Sequence, residues 1–119
     1  MSEFDIKEFI EEGLNDDRTE LKIRFMWINR FSQSEQQELY KEIAKLNSLN
    51  TLDLSGNQIS DASFLKELKS LTTLNLSNNK ISDASFLKEL KSLTTLNLNN
   101  NRISDASFLK ELKSLTLLY

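Results

Sequence analysis

Apolar residues return at a fixed interval through the second half of the chain. Between Leu71 and Ser92 they stand at Leu71, Leu74, Leu76, Ile81, Leu87 and Leu90. The same spacing fills Leu49–Ser70 and Leu93–Ser114, so the chain repeats a 22-residue unit. The stretch Ile59–Ser70, ISDASFLKELKS, recurs letter for letter at Ile81–Ser92 and Ile103–Ser114. A fourth unit opens at Leu115, and the sequence stops at Tyr119. A short repeat of fixed length predicts a solenoid, because one unit cannot close a core alone and must be buried by its neighbours.

Within a unit the period changes. Thr73-Leu74-Asn75-Leu76-Ser77 alternates polar and apolar, as a half-buried strand does. Leu74 and Leu76 point inward; Thr73, Asn75 and Ser77 point out of the sheet. Asn78-Asn79 then predicts a turn, since the short amide bonds to nearby backbone. Asp83 is placed to cap the turn that follows, and Phe86, Leu87 and Leu90 form an inward stripe on Ala84–Lys91. Lys88, Glu89 and Lys91 face water. The chain has no proline, and its two glycines are Gly13 and Gly56, so no flexible linker separates the units.

Positions 1–48 do not share the unit. A helix is predicted from a Ser2 cap to about Glu12, with Phe4, Phe9 and Ile10 on one side and Gly13 as its stop. Asn15–Arg18 reads as a polar turn. Thr19–Ile28 alternates again, with Leu21, Ile23 and Phe25 inward and Lys22, Arg24 and Met26 outward. Trp27 is expected as a buried anchor. Ser32 and Glu35 form a capping box for a helix over about Glu35–Leu46, whose Leu39, Ile43 and Leu46 share one face. Aligning Ile23 and Phe25 with Leu52 and Leu54 gives a first unit of about 29 residues. The expected organisation is an amino-terminal cap over 1–48 and three repeats plus a truncated fourth strand over 49–119. The predicted strands are 21–27, 51–55, 73–77, 95–99 and 116–119.

All three units satisfy LxxLxLxxNxIxDxxxLxxLxx at every marked position. This resembles the leucine-rich repeat family, and the unit length with its I-x-D element is similar to the internalin-type and phosphatase-regulator-type classes. The longer first unit resembles the ribonuclease-inhibitor type. The resemblance implies an α/β solenoid with a parallel concave sheet, short convex helical turns and a helical amino-terminal cap. It also implies a ladder in which Asn57, Asn79 and Asn101 bond the backbone of adjacent turns. Internalin-type repeats usually carry proline where this chain has Phe64, Phe86 and Phe108, which implies a more helical convex turn with phenylalanines stacked along the solenoid.

Composition narrows the function. The formal charge is −3, with 15 basic and 18 acidic side chains. Positions 1–48 hold 11 acidic and 7 basic groups and the remainder 7 and 8, so neither part offers the basic stripe that nucleic acid requires. With no cysteine and no histidine, disulfides, thiolate chemistry and the commonest base and zinc ligand are absent. No apolar run spans a bilayer, and no cleavable signal pattern opens the chain, so a soluble protein, cytoplasmic by default, is expected. Asp61, Asp83 and Asp105 form a column that either caps its own turns or holds a divalent cation; capping is the expected role, because each precedes a helical stripe. The Lys-Glu-Leu-Lys runs read as a solvated convex face. No enzyme activity, cofactor or metal is expected.

The units differ at positions 2, 5, 7, 8 and 10, on or beside the outward face of the strand, and nowhere on the convex half. The expected function is therefore a non-catalytic protein-binding module whose concave contacts are Lys22, Arg24, Met26, Thr51, Asp53, Ser55, Thr73, Asn75, Ser77, Thr95, Asn97 and Asn99. The alternative is a consensus, designed or truncated array. Such a scaffold would join a second copy end to end through Leu115, Leu117, Leu118 and Tyr119, where an open solenoid end is also an unpaired sheet edge.

Overall fold

A computed structural model describes residues 5–119. Its elements run α1 (Ile6–Gly13), β1 (Glu20–Lys22), a short 3-10 turn (Ile28–Arg30), α2 (Gln33–Ala44), then β2 (Thr51–Asp53), β3 (Thr73–Asn75), β4 (Thr95–Asn97) and β5 (Leu117–Leu118). Five-residue 3-10 turns at Ser63–Glu67, Ser85–Glu89 and Ser107–Glu111 connect the last four strands. The strands form one parallel sheet in sequence order, β1-β2-β3-β4-β5. Each apolar strand centre sits opposite the next, Leu21 on Leu52, Leu52 on Leu74, Leu74 on Leu96 and Leu96 on Leu118. This is the α/β solenoid expected from the periodicity.

The core is a single stack. Leu49, Leu52, Leu54, Ile59, Leu65 and Leu68 of the first unit are buried, as are Leu71, Leu74, Leu76, Ile81, Leu87 and Leu90 of the second. In the third unit some of the same positions loosen: Leu98, Ile103 and Leu109 are only partly buried, as is Leu115 of the truncated fourth. Identical residues thus differ in burial according to whether another unit lies beyond them, which is how a solenoid distributes its stability.

Polar groups inside the stack are paired. Asn79 accepts from the amides of Asn57 (3.1 Å) and Ile59 (2.9 Å) and donates to the carbonyls of Leu54 and Leu76, both at 3.0 Å. Asn57 accepts from Met26 N–H and donates to the carbonyls of Ile23 and Leu54, and Asn101 accepts from Ile81 N–H and donates to Leu76. The asparagine ladder is present in all three units. A second ladder was not foreseen. The hydroxyls of Thr72, Thr94 and Thr116 each donate at 3.1 Å to the carbonyl one unit earlier, of Asn50, Thr72 and Thr94. Its signal was present in the sequence as a threonine at position 2 of every unit after the first.

Several expectations change. The Ser2 cap and Phe4 lie outside the described residues; Asp5 caps α1, its carboxylate accepting from Glu8 N–H, and Ile6 joins Ile10 in the core. The convex turns are 3-10 and not longer helices. The ring pair in the phenylalanine column is Tyr40 of α2 on Phe64, stacked at 4.3 Å. Burial, and then the Asp61 charge, raises the Tyr40 phenol above its ordinary value. The capping box of α2 forms as the sequence predicts, Ser32 and Glu35 each accepting from the other's amide.

The largest correction concerns β1. Leu21 pairs with Leu52, and hydrogen bonds from Ile23 N–H to Asp53 and from Phe25 N–H to Ser55 continue that register. Leu21, and not Ile23, is therefore the counterpart of Leu52, and the first unit is two positions longer than the alternation suggests. Leu21, Ile23 and Ile28, all buried, take the places of Leu52, Leu54 and Ile59. Phe25 falls beside Gly56 and Trp27 beside Gln58, both past the strand. Neither points inward: Phe25 is 58% and Trp27 54% exposed. The shared spacing L-x-I-x4-I and L-x-L-x4-I was the available signal; the apolarity of Phe25 and Trp27 masked it.

Candidate binding face

The outward side chains of the five strands form three rows. Glu20, Thr51, Thr73, Thr95 and Leu117 make the first, and Lys22, Asp53, Asn75 and Asn97 the second. Arg24, Ser55, Ser77 and Asn99 follow past the strand ends. Eleven of the twelve predicted contacts thus lie in these rows, with Glu20 added between Lys22 and the turn before it. Met26 does not belong. It stands at the ladder position of Asn57, in the turn, and its amide is bound by Asn57 Oδ1 at 3.0 Å.

The rows are not equally available. Ser55 and Ser77 are 3% and 7% exposed, so they are part of the scaffold and not of the surface. The reason is local. Asp53, Asn75 and Asn97 each fold back through Oδ1 onto the amide two residues ahead, at 3.0, 2.9 and 3.0 Å, and Ser55 Oγ also donates to Asp53 Oδ1 at 2.7 Å. These short loops hold each turn in place. They consume one oxygen and leave Nδ2 of Asn75 and Asn97 without a bond to described residues. Asp53 Oδ2 lies 3.7 Å from Arg24 Nε, a pair exposed on the arginine side and of small energetic weight. The face therefore offers mainly donors: two amide groups, the Thr73 and Thr95 hydroxyls, Lys22 and Arg24.

The column of Asp61, Asp83 and Asp105 lies elsewhere. Each Oδ1 accepts the amide of the serine two residues on, Ser63, Ser85 and Ser107, at 3.0, 3.0 and 2.9 Å. These bonds hold all three carboxyls below the ordinary value, led by the serine amide for Asp61 and Asp105 and by the Ser85 hydroxyl for Asp83. The carboxylates close the bend into each turn from one residue before its N-cap, which is Ala62, Ala84 or Ala106 and not the expected aspartate. Among the described residues no cluster of three or more acidic groups is placed to hold a metal ion. The convex lysines and glutamates face solvent, with Lys69–Glu89 and Lys91–Glu111 at 3.5 and 3.8 Å across units.

The last strand exposes Leu117, Leu118 and Tyr119, with Leu118 47% exposed where Leu74 and Leu96 are fully buried. Leu117 and Tyr119 continue the first and second rows, and Tyr119 exchanges backbone bonds with Leu96 and Leu98 at 2.9 Å. Among the described residues no helix is long and apolar enough to cross a membrane.

Family models for leucine-rich repeats match residues 47–89, as two copies, and residues 89–107, which together take in about half of the chain. This chain is a leucine-rich repeat protein. No curated protein sequence matches it. Among solved structures this leucine-rich repeat chain is similar to internalin C2 of Listeria monocytogenes, with 40% identity over 65% of this chain and 34% of that one and a TM-score of 0.63. A leucine-rich repeat protein of Leptospira interrogans matches 82% of this chain and 30% of its own at 22% identity and TM-score 0.65, a likeness of fold. The tropomodulin carboxyl-terminal domain of Caenorhabditis elegans shares the fold over 97% of this chain and 81% of its own, at 23% identity and TM-score 0.67. The chain spans about a third of the internalin and Leptospira proteins. Leucine-rich repeat proteins generally mediate protein–protein interaction and are typically non-catalytic.

Proposed function

We propose that this leucine-rich repeat chain is a protein-binding module without catalytic activity, holding its partner on the concave face. One observation carries the reading: units two and three differ from each other, and unit one from both, only around the strand and the loop after it, while the convex half is invariant. Of the twelve expected contacts, the accessible ones are Lys22, Arg24, Thr51, Asp53, Thr73, Asn75, Thr95, Asn97 and Asn99. Their unpaired donors suit a partner rich in carbonyl or carboxylate acceptors. A shallow polar face of this kind binds by many modest bonds and needs an apolar anchor for high affinity.

A second reading rests on the apolar last strand. Leu115, Leu117, Leu118 and Tyr119 would join a second copy end to end as a homodimer, since an exposed apolar edge strand is a template for pairing. One experiment separates the two. Light scattering across a wide concentration range is run on the parent chain, on Asn75→Arg with Asn97→Arg, and on Leu117→Lys with Tyr119→Lys. A receptor stays monomeric in all three and loses partner binding only in the asparagine variant. A self-assembling scaffold gives a dimer mass that collapses in the Leu117/Tyr119 variant alone.

A further inference from the structure

The loops that leave the strands carry a second, continuous surface. The register of β1 on β2 brings Trp27 alongside Gln58, and the repeat adds Lys80 and Arg102, so one column along the rim reads Trp, Gln, Lys, Arg. Beside it runs a column of Phe25, Gly56, Asn78 and Asn100, in which Asn100 Nδ2 donates to Asn78 Oδ1 at 2.9 Å. Phe25, Met26 and Trp27 are all exposed at the head of this rim.

Two features mark the aromatic head. Phe25 and Trp27 hold left-handed backbone, at φ 52° and 53°, the conformation this turn also takes at Gly56, Gln58, Asn78 and Asn100 and one costly for bulky residues. Gly56 is the second. A Cβ there would come within 2.2–2.7 Å of the Phe25 ring, so the glycine leaves a seat against which one face of that ring rests. The other two units carry asparagine at this position.

Two basic side chains stand further along the rim. Lys80 and Arg102 are exposed, and neither enters an ion pair among the described residues. The loops 55–58, 77–80 and 99–102 contain no acidic residue, although the chain as a whole is acidic. Asp61, Asp83 and Asp105 follow the three loops by three residues, each bound to the serine two residues on, Ser63, Ser85 and Ser107, and Asp53 before the first loop is held by Ser55 and Arg24. Parallel strands lie about 4.8 Å apart, which puts Lys80 roughly 10 Å and Arg102 roughly 15 Å from Trp27 along the rim. An extended chain covers that distance in about five residues.

We propose that this rim binds an acidic linear segment of a partner protein. An aromatic or aliphatic side chain packs on Phe25 and Trp27, and carboxylates three to five residues away reach Lys80 and Arg102. The proposal rests on the concave-face reading, because such a segment lies along the edge of that face and supplies the apolar anchor it lacks. Trp27 is the single tryptophan of the chain and reports occupancy directly.

The test is selection of a random dodecapeptide phage library on the full chain, followed by titration of the enriched peptides, made synthetically with a fluorescent label. The expected winners pair an aromatic or leucine with Asp or Glu within five residues, and shift Trp27 emission to the blue. Trp27→Asn, which keeps a residue tolerant of left-handed backbone, weakens them by about tenfold or more. Lys80→Gln with Arg102→Gln, the residue unit one already carries, weakens them about tenfold and flattens the salt dependence. Absence of enrichment, winners without acidic residues, or a Trp27 shift produced equally by phosphatidylserine vesicles overturns the proposal. Winners that depend on Asn75 and Asn97 but not on Trp27, Lys80 or Arg102 overturn the rim and keep the face. Winners that ignore all five residues overturn both.

Discussion

Asn79 is the side chain on which most backbone depends. It serves amides and carbonyls in two successive turns, all of them buried. An unpaired buried group costs roughly 1–3 kcal/mol, so Asn79→Ala is expected to lose about 3–5 kcal/mol in urea denaturation. Asn101, partly exposed, has water to replace its amide, and Asn101→Ala is expected to lose about half as much. The aspartates before the convex turns act on pH. Serine donors hold Asp61, Asp83 and Asp105 below their ordinary 3.8, so the unfolded chain takes up protons first as pH falls. Their contribution is complete above that value and is lost as pH drops through the lower folded ones. The urea midpoint should hold steady down to about pH 5 and fall below about pH 4, and replacing all three by asparagine should flatten that acid limb.

The element that departs most from its sequence expectation is β1 with the loop after it. Alternation alone extends the strand to residue 27, since Phe25 and Trp27 keep the apolar period. Pairing with β2 ends it, because the inward places after Ile23 are the turn and then Ile28. Beside its backbone bonds to Ser55 and Asn57, the loop meets the first repeat through a side chain, the Phe25 ring on Gly56. Gly56→Asn, which restores the residue of the other units at a position with φ +72°, should displace that ring and cost about 1–2 kcal/mol. In a Phe25→Asn background the same change should be nearly neutral. A double-mutant cycle by thermal or urea unfolding checks it, and equal costs in both backgrounds would contradict the contact.

For the whole molecule, stability belongs to interfaces between units. Leu76 and Leu98 occupy the same position of the same unit, yet Leu76 is fully buried and Leu98 is not. Leu76→Ala is expected to cost about 3–4 kcal/mol and Leu98→Ala about 1–2 kcal/mol, measured side by side in urea. The inter-unit ion pairs on the convex face are exposed and contribute little to this gradient.

The repeat determined most of this structure from the sequence alone. A leucine at fixed places in a 22-residue unit has one economical burial, and the asparagine and aspartate columns follow because turn amides must be paired. Near-identical units repeat one register from β2 to β4, so the inward leucines and the asparagine ladder were legible residue by residue, while the threonine ladder and the 3-10 form of the convex turns were not. What only the tertiary structure decided lies where the repeat does not reach. The register of β1 depends on the pairing of Leu21 with Leu52 across the whole of α2, which local alternation cannot encode. The withdrawal of Ser55 and Ser77 from the face depends on how Asp53 and Asn75 fold back onto the turn. The outward placement of Phe25 and Trp27 follows from both, because apolar residues carried past a strand end find their inward places already filled.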